Sequence, residues 1–366
     1  MTAFEIFNQE QVDVGVIEVG MGGRDDATNI LKDKAVTVIS KIGLDHQEFL
    51  GNTIEQIAAH KCGIFQSGVP VVYDSTNPPN VVKVIEEQTK EHGAGPLYPV
   101  HKMPRGRRRM HKWAVFCRKL RNRRSHRVNI ACAWEATKLL LAKLGLNSPR
   151  ETLLTAILRV RWPGRMQQLS LVNLLGKDKT VLVDGAHNEL GAEALGHFVN
   201  KVVRTDPTTY NKTLPVTWVL AATKTKDAKA ILQHLLKGGD RVITVEFGPV
   251  DGMSFVEPMP SDKLVNIVQE VLVSKSDIGE VKSFGSDIEG ALKHAVNVAG
   301  EYPIVVAGSL YLVSDIFRLL KKANEKPGAV LVEDILTCEM ENKADDRTGK
   351  LVGRPKGSKN KKKSNG

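Results

Sequence analysis

A glutamate stands inside an apolar, β-branched run of the chain and is followed at once by glycines. In "VDVGVIEVGMGGRDDATNI", residues 12–30, Glu18 precedes three glycines within four positions. Short apolar runs of this kind predict strands of a parallel sheet that is covered on both faces. Ligands of such sheets gather beyond the carboxyl ends of the strands, where glycines let them approach the backbone. Glu18 can hold a hard cation there, or it can form a local ion pair with Arg24.

The next strand-like run repeats this arrangement. "AVTVIS" leads through Gly43 to Asp45 and His46. Two neighbouring strands that both end in such side chains favour a Mg²⁺ site, because Mg²⁺ prefers oxygen ligands and keeps several of its waters. Lys61 falls on the helix predicted to follow and can point to the same place, although a lysine on a helix is usually just solvated.

A third polar group lies in the second half of the chain. "VLVDGAHN" ends a predicted strand with Asp184, His187 and Asn188. Asp184 is placed to hydrogen-bond a ribose, and Arg165 in "RWPGR" can reach a phosphate with its planar guanidinium group. Each of these side chains can also be an ordinary satisfied loop residue. Together, three strand ends and one hinge predict a small-molecule site in a cleft between two halves.

Alternating strands and helices must position these side chains. Between residues 12 and 73 the runs "VGVIEV", "AVTVIS" and "VPVVY" predict strands, and "TIEQIAAHKCGIF" predicts a helix capped by Thr53 and Gln56. Four further strand–helix units follow between about residues 161 and 322. The predicted fold class is therefore α/β, with a doubly wound second domain. Pro and Gly of "RWPGR", residues 161–165, predict the hinge.

Composition excludes several classes of protein. The 366 residues, of which 42% are hydrophobic and 25% charged, are typical of a soluble chain of two domains. No run reaches the roughly 18 to 20 apolar residues of a membrane span, and no basic leader precedes an apolar stretch. Four cysteines without CxxC spacing predict neither a zinc site nor disulfides. We expect a cytoplasmic protein, with mitochondrial and nuclear locations as alternatives.

The positive charge of the chain is concentrated in two stretches. Residues 101–127 carry +12 and residues 343–366 carry +7, so the rest carries −8 of the total of +11. The whole-chain charge therefore does not indicate a nucleic-acid partner. The first stretch is a solvated insertion, mistranslated genomic sequence or an RNA-binding arm. The second belongs to a tail that we expect to be disordered; its Gly353, Arg354 and Pro355 resemble an AT-hook, but a solubilising or nuclear-targeting role is favoured.

Four motifs carry a resemblance to a known family. "EVGMGGRDDATN", "GLDHQEFLGNTIEQIAAHKCGIF", "RWPGRMQQL" and "DGAHN" resemble, in this order, the folylpolyglutamate synthase and dihydrofolate synthase family of the Mur ligase superfamily. "PVDGMSFVEPM", residues 249–259, further resembles fungal dihydrofolate synthases. The resemblance implies a partial Mur-ligase-type P-loop central domain at 1–160, a Rossmann-like C-terminal domain at 161–325 and a basic tail at 326–366.

The resemblance also implies an activity. Family members use ATP to phosphorylate a carboxylate, and the amine of glutamate then attacks the acyl phosphate. For this chain it implies a monomeric dihydrofolate synthase that joins L-glutamate to dihydropteroate in folate biosynthesis. Folylpolyglutamate synthase, which extends an existing glutamate chain, is the alternative within the family. A non-catalytic protein that binds a nucleotide or another partner is the alternative from a different class.

Individual positions take their implied roles from the matching motifs. The implied cofactors are ATP, Mg²⁺, a further K⁺ ion and a carbamylated lysine, which carries an anionic oxygen. The resemblance assigns Glu18 and His46 to Mg²⁺; Lys61 to carbamylation; Asp25, Asp26 and Ala27 to the pterin pocket; Asn129, Arg165 and Asp184 to ATP; and Lys61 and His187 to catalysis.

One family motif has no counterpart in this sequence. Family members carry a P-loop, G-T-N-G-K-G-S, whose backbone amides and lysine bind the ATP phosphates. Since no such stretch precedes Glu18, we expect about a quarter of a family enzyme to be missing from the front and catalysis to be inefficient.

Overall fold

The structure is a computed structural model that describes residues 2–101, 124–147, 150–160, 162–205, 213–273 and 279–325. Most of the basic stretch, 102–123, and the tail with Gly353, Arg354 and Pro355 lie outside the described residues, so the expectations for them remain predictions. None of the described helices is long and apolar enough to cross a membrane.

Within the described residues, the first sheet has three parallel strands in the order β1-β2-β3. These are β1 (Thr37–Ile39), β2 (Val71–Asp74) and β3 (Leu97–Val100), with Thr37 opposite Val71 and Val71 opposite Leu97. Among the described residues, the helices of this half are α1 (Thr2–Gln9), α2 (Gln47–Leu50), α3 (Ile54–Cys62), α4 (Pro79–Glu91), α5 (Arg124–Lys143) and α6 (Arg150–Arg159).

Helices cover both faces of this sheet. One core packs Ile57 of α3 and Ile85 of α4 against β1 and β2. The other packs Val128 and Trp134 of α5 against β2 and β3. All four residues of β2 are buried, as the apolar run "VPVVY" predicted.

The local start of α3 is confirmed in detail. The Thr53 side chain accepts a hydrogen bond from the Gln56 backbone N–H, and the Gln56 side chain accepts one from the Thr53 backbone N–H. This capping box satisfies donors that the first turn of a helix leaves unpaired. It fixes where the helix that carries Lys61 begins.

The predicted strand at Glu18 is wrong. Residues 14–19 form no strand, and within the described part of the chain no backbone hydrogen bond joins them to another segment. Val16 is 90% exposed, and Glu18 is exposed as well. A strand needs a neighbour to satisfy its backbone groups, and residues 14–19 do not pair with the open edge of β1, whose hydrogen-bonded neighbour is β2. The apolar pattern alone was therefore not enough to form a strand here.

In the part of the chain that the structure describes, the second sheet has six strands in the order β4-β5-β9-β6-β7-β8, and of these only β4 is antiparallel to its neighbour. Its strands are β4 (Gln167–Ser170), β5 (Thr180–Val183), β6 (Thr217–Leu220), β7 (Arg241–Thr244), β8 (Val281–Ser283) and β9 (Ile304–Ala307). Its helices are α7 (Val172–Leu175), α8 (Glu189–Phe198), α9 (Ala228–Leu235), α10 (Ser261–Val273), α11 (Ile288–Ala299) and α12 (Leu310–Asn324).

Two separate cores confirm the doubly wound arrangement predicted for this half. Leu195, Leu235 and Leu264 of α8, α9 and α10 pack on one face of the sheet, and Leu292 and Ile316 of α11 and α12 pack on the other. The four predicted strand–helix units are all present. The structure adds a fifth, β8 with α11, and the antiparallel edge strand β4, which lacked strong apolar runs.

A buried ion pair fixes the start of β7. Asp240 is fully buried and accepts hydrogen bonds from both terminal nitrogens of the buried Arg204, one at 2.6 Å, and from Nε1 of Trp218 at 3.0 Å. The backbone N–H groups of Val216 and Lys237 also donate to it. This carboxylate therefore joins the ends of three segments in the interior.

Removing one partner of this pair should be costly. We expect Asp240→Ala to lower the free energy of unfolding by about 3–5 kcal/mol, because the Arg204 charge stays buried without its carboxylate. Asp251→Ala is the matched control, since Asp251 pairs with Arg318 but its side chain is 93% exposed. Urea unfolding of both variants is the measurement. Equal losses in the two variants would contradict this account.

Candidate functional site

The carboxylate of Asp45 joins the two halves of the chain. Its Oδ2 accepts a hydrogen bond of 2.8 Å from Asn188 Nδ2, and its Oδ1 forms an ion pair with Lys226 Nζ. The side chains of Asp45 and Lys226 are only 21% and 20% exposed. Hydrogen bonds from these two donors lower the pKa of Asp45 although burial, the largest single influence, raises it. Asp45 is therefore an ionised carboxylate that faces two donors from the second sheet.

Local hydrogen bonds set the position of Asp45 beyond β1. Buried Asn77 accepts from the Ile42 backbone N–H at 2.8 Å and donates to the Ser40 carbonyl, which ties this loop to the end of β2. His46 begins α2 with a left-handed backbone, φ 52°. Its N–H donates to Asp45 Oδ1 at 2.9 Å. The sharp turn places Asp45 toward the second half and leaves the His46 side chain 43% exposed.

Asn188, the residue immediately before α8, contacts Asp45. Its side-chain oxygen accepts from the Gly191 backbone N–H at 2.9 Å, so it caps this helix. Its side-chain nitrogen is thereby directed to Asp45. One amide thus orients the second half against the first, with both of its polar atoms in use.

Lys61 lies within the electrostatic reach of the same carboxylate. Burial lowers the pKa of Lys61, and the charge of Asp45 partly opposes this shift. A lowered pKa increases the fraction of neutral amine, which is the form that reacts with electrophiles such as CO₂. Lys61, on α3, is therefore close enough to Asp45 for the two charges to interact, while its predicted role beside Glu18 and His46 stays a prediction.

His187 belongs to the same group of charged and polar side chains as Asp45, Lys61 and Lys226, which we call the cluster, and it lies on the side of the second sheet. Its Nδ1 lies 2.8 Å from the Gly185 carbonyl oxygen, which can only accept, so Nδ1–H donates. Burial lowers the pKa of His187 most; the Gly185 hydrogen bond and Asp45 raise it, while Lys226 and Arg165 lower it further. The imidazole is therefore neutral at pH 7, and its Nε2 carries a lone pair that can accept a proton.

Asp25, Asp26 and Ala27 follow the glycines in one exposed loop. Asp26 is held locally, because its Oδ1 accepts from the Thr28 N–H and hydroxyl at 2.9 and 2.6 Å and its Oδ2 accepts from the Met21 N–H at 2.9 Å. Burial raises the pKa of Asp26, but these hydrogen bonds together lower it. Asp25 and Ala27 are exposed. The sequence predicted one role for the three residues, and the structure separates a turn-forming carboxylate from an outward-facing one.

The three predicted ATP contacts lie in different surroundings. Asn129 is exposed on α5, and Arg165 is half-buried beside Gly185. Asp184 is 5% exposed, and its two oxygens accept from the backbone N–H groups of Met166 and Ala186 at 2.8 and 2.9 Å. Asp184 therefore fixes the predicted hinge against the end of β5. Arg165 belongs to the cluster, because its positive charge lowers the pKa of His187.

The donor chemistry of the cluster fits Mg²⁺, but the donors do not form a closed cage. Asp45 and His46 are adjacent, with His46 Nε2 3.9 Å from Asp45 Oδ1. Among the described residues, no three His, Cys, Asp or Glu side chains converge on one point, and no hydrogen bond or ion pair joins Glu18 to His46. Mg²⁺ needs only one or two protein carboxylates when phosphates and waters supply the other oxygens. The role of Glu18 stays a prediction.

Sequence reasoning missed Lys226. It lies in the loop "TKTKD" between β6 and α9, and its partner is 181 residues away in the sequence. The available signal was position: this loop follows the carboxyl end of a central parallel strand, where ligands gather. Lysines are too common on surfaces for that signal to stand out without the fold.

The pKa of His187 should report this cluster. Lys226→Met removes a positive charge that disfavours the imidazolium, so we expect the pKa of His187 to rise. Asp45→Asn removes a negative charge and should lower it. Proton–carbon NMR titration of the histidine rings measures both shifts. Lys224→Met, at an exposed ion pair with Glu257, is the control, and an unchanged His187 pKa in the first two variants would contradict the geometry.

Comparisons with known proteins agree with this architecture. The family model described as the C-terminal domain of dihydrofolate synthetase matches residues 167–319. The chain is 35% identical to a probable dihydrofolate synthetase of Schizosaccharomyces pombe over 87% of this chain and 74% of that protein. It is 31% identical to a dihydrofolate synthetase of Saccharomyces cerevisiae over the same shares of the two chains.

Solved structures share the fold. E. coli FolC in complex with DHPP and ADP matches with a TM-score of 0.64 at 24% identity, over 88% of this chain and 69% of that one. Mycobacterium tuberculosis folylpolyglutamate synthase complexed with ADP also matches with a TM-score of 0.64, at 21% identity, over 87% and 70%. The predicted Mur-ligase-type α/β fold is confirmed. The chain belongs to the dihydrofolate synthetase and folylpolyglutamate synthase family of ATP-dependent ligases.

Proposed function

We propose that this chain joins L-glutamate to dihydropteroate with ATP, as a dihydrofolate synthase. The observation that carries the proposal is the cluster formed across both halves by Asp45, Lys61, His187 and Lys226. Clusters of titratable groups with shifted pKa values, placed where parallel strands end, are typical of active sites. The two yeast relatives named dihydrofolate synthetase support the choice of reaction.

Three side chains would hold the metal of this site. Glu18, His46 and a carbamylated Lys61 would bind Mg²⁺, which when bound neutralises the charge of phosphate oxygens. Neutral Lys61 reacts with CO₂ to give a carbamate and release a proton, and its burial favours the neutral amine that this reaction needs. K⁺ is the further cation that we propose for the family site.

The other predicted residues bind, orient and move protons. Asn129, Arg165 and Asp184 would contact ATP, with the guanidinium of Arg165 suited to phosphate oxygens. Asp25, Asp26 and Ala27 would border the pterin. His187 Nε2 would accept a proton from the ammonium of glutamate, so that its nitrogen can attack the acyl phosphate and release phosphate. Asp45 holds Lys226 and Asn188 and thereby keeps His187 close to the other half.

Product analysis tests the proposed reaction. The purified full chain is incubated with ATP, Mg²⁺, L-glutamate and dihydropteroate, and dihydrofolate and ADP are quantified by chromatography and mass spectrometry. We expect ADP and dihydrofolate in equal amounts, with neither formed when glutamate is omitted. His187→Ala should lower kcat by about 100-fold, as the loss of a general base does. Lys224→Ala is the control, and a kcat of His187→Ala that stays close to that of the unsubstituted chain would contradict the assignment.

Carbamylation of Lys61 has its own test. After equilibration with ¹³C-labelled bicarbonate, we expect one carbamate signal in the carbon NMR spectrum that is absent from Lys61→Arg. Lys34→Arg is the control, since burial also lowers the pKa of Lys34 but its Nζ is bound to Asn29 Oδ1 and the Ile64 carbonyl. A spectrum that is the same with and without Lys61 would remove carbamylation from the mechanism.

A competition assay separates the two activities of the family. The yeast relatives named dihydrofolate synthetase are 35% and 31% identical, whereas a folylpolyglutamate synthase of Lacticaseibacillus casei is 27% identical. We therefore expect a higher kcat/KM for dihydropteroate than for tetrahydrofolate when both are offered together. A preference for tetrahydrofolate would assign the chain to polyglutamylation instead.

A non-catalytic binding protein is the second candidate. The observation that favours it is the exposed position of Glu18, which within the described part of the chain forms no hydrogen bond or ion pair with His46 or Lys61. Its signature would be saturable ATP binding in calorimetry together with no ADP formation.

We further propose that the protein is a cytoplasmic monomer that acts on small molecules. Cell fractionation tests the location, and light scattering tests the assembly.

A further inference from the structure

His60 of α3 contacts the exposed carboxylate of Asp25, which lies in the loop of residues 20–27 that follows Glu18. His60 Nε2 lies 3.1 Å from Asp25 Oδ2. The His60 side chain is 16% exposed and that of Asp25 is 77% exposed. An ionised carboxylate can only accept, so the imidazole N–H donates to it.

The loop backbone is already seated tightly on α3 without this contact. The Arg24 N–H donates to the His60 carbonyl at 3.0 Å. A Cβ added to Gly23 would stand 2.6 Å from the Lys61 carbonyl oxygen and 3.1 Å from the His60 carbonyl oxygen, both backbone atoms of α3. Only glycines allow so close an approach. The backbone therefore fixes the loop, and His60 is left to orient the Asp25 side chain.

Asp25 differs from its neighbour in what remains for a ligand. Both oxygens of Asp26 accept hydrogen bonds from its own loop. In the described part of the chain, Asp25 has one hydrogen bond, at Oδ2, and Oδ1 has none. The contact with His60 thus fixes the orientation of the Asp25 carboxylate, and its remaining acceptor sites stay exposed for a ligand.

We infer that His60 is a positioning residue for recognition of the pterin ring, acting through Asp25. The inference rests on the proposed function, because it takes the pterin of dihydropteroate as the ligand. The pyrimidine edge of a pterin presents neighbouring N–H donors, which an oriented carboxylate can accept. Holding Asp25 in one direction before the substrate arrives reduces the entropy lost on binding.

A purely structural role makes a different prediction. Ion pairs with an exposed partner contribute little to stability, and Asp25 is largely exposed. If His60 serves recognition, its loss weakens pterin binding and leaves unfolding almost unchanged. If it serves stability, its loss lowers Tm and weakens the binding of every ligand alike.

Equilibrium binding of dihydropteroate to the full chain, without ATP turnover, tests the inference. We expect His60→Leu to raise Kd for dihydropteroate about three- to tenfold, the effect of one hydrogen bond. His60→Gln, whose amide can still donate, should recover part of this loss. Affinity for a non-hydrolysable ATP analogue and Tm should stay the same. His294→Leu is the matched control, because His294 Nε2 pairs with Glu280 Oε1 at 2.7 Å in the other half.

A double-mutant cycle assigns the effect to Asp25. In the Asp25→Ala background, His60→Leu should cause no further loss of dihydropteroate affinity, since both changes remove the same contact. Additive losses, or equal losses for dihydropteroate and the ATP analogue, would overturn the positioning role. Unchanged affinity in His60→Leu would overturn it as well, while the proposed function stands. No dihydropteroate binding by the unsubstituted chain would overturn both.

Discussion

The contact of Asp45 with Lys226 and Asn188 is the interaction on which the candidate site depends. Asp45 follows a strand of the first sheet, and its two donors follow strands of the second. Both members of the ion pair are about four-fifths buried, so their attraction is screened less than that of a surface pair. The carboxylate therefore determines which residues of the two halves face each other.

The same contact shapes the chemistry of its neighbours. Lys61 and His187 come from opposite halves, and burial lowers the pKa of both, with Asp45 as a shared opposing charge. Burial thereby raises the fraction of each group that is neutral and carries a free lone pair. An amine that must react with CO₂ and an imidazole that must accept a proton both need that form. One geometric arrangement thus supplies two different chemical requirements.

Local patterns were sufficient where local forces decide the structure. The capping box of α3 and the buried runs of β2 and β6 were read correctly, because backbone satisfaction and apolar burial act over a few residues. The strand at Glu18 failed because a strand also needs a partner. The turn-forming role of Asp26 was missed because its hydrogen bonds depend on the path of the loop. Lys226 could not be found, since its partner is distant in sequence.

The central claim is that Asp45 and Lys226 act as one unit in building the site. A double-mutant cycle on ATP- and glutamate-dependent product formation, with Asp45→Asn, Lys226→Met and the double variant, measures this most directly. The account predicts that the double variant is no slower than the slower single variant, with a coupling energy of about 1–3 kcal/mol. Losses that simply add would show that the two residues act independently and would contradict the account.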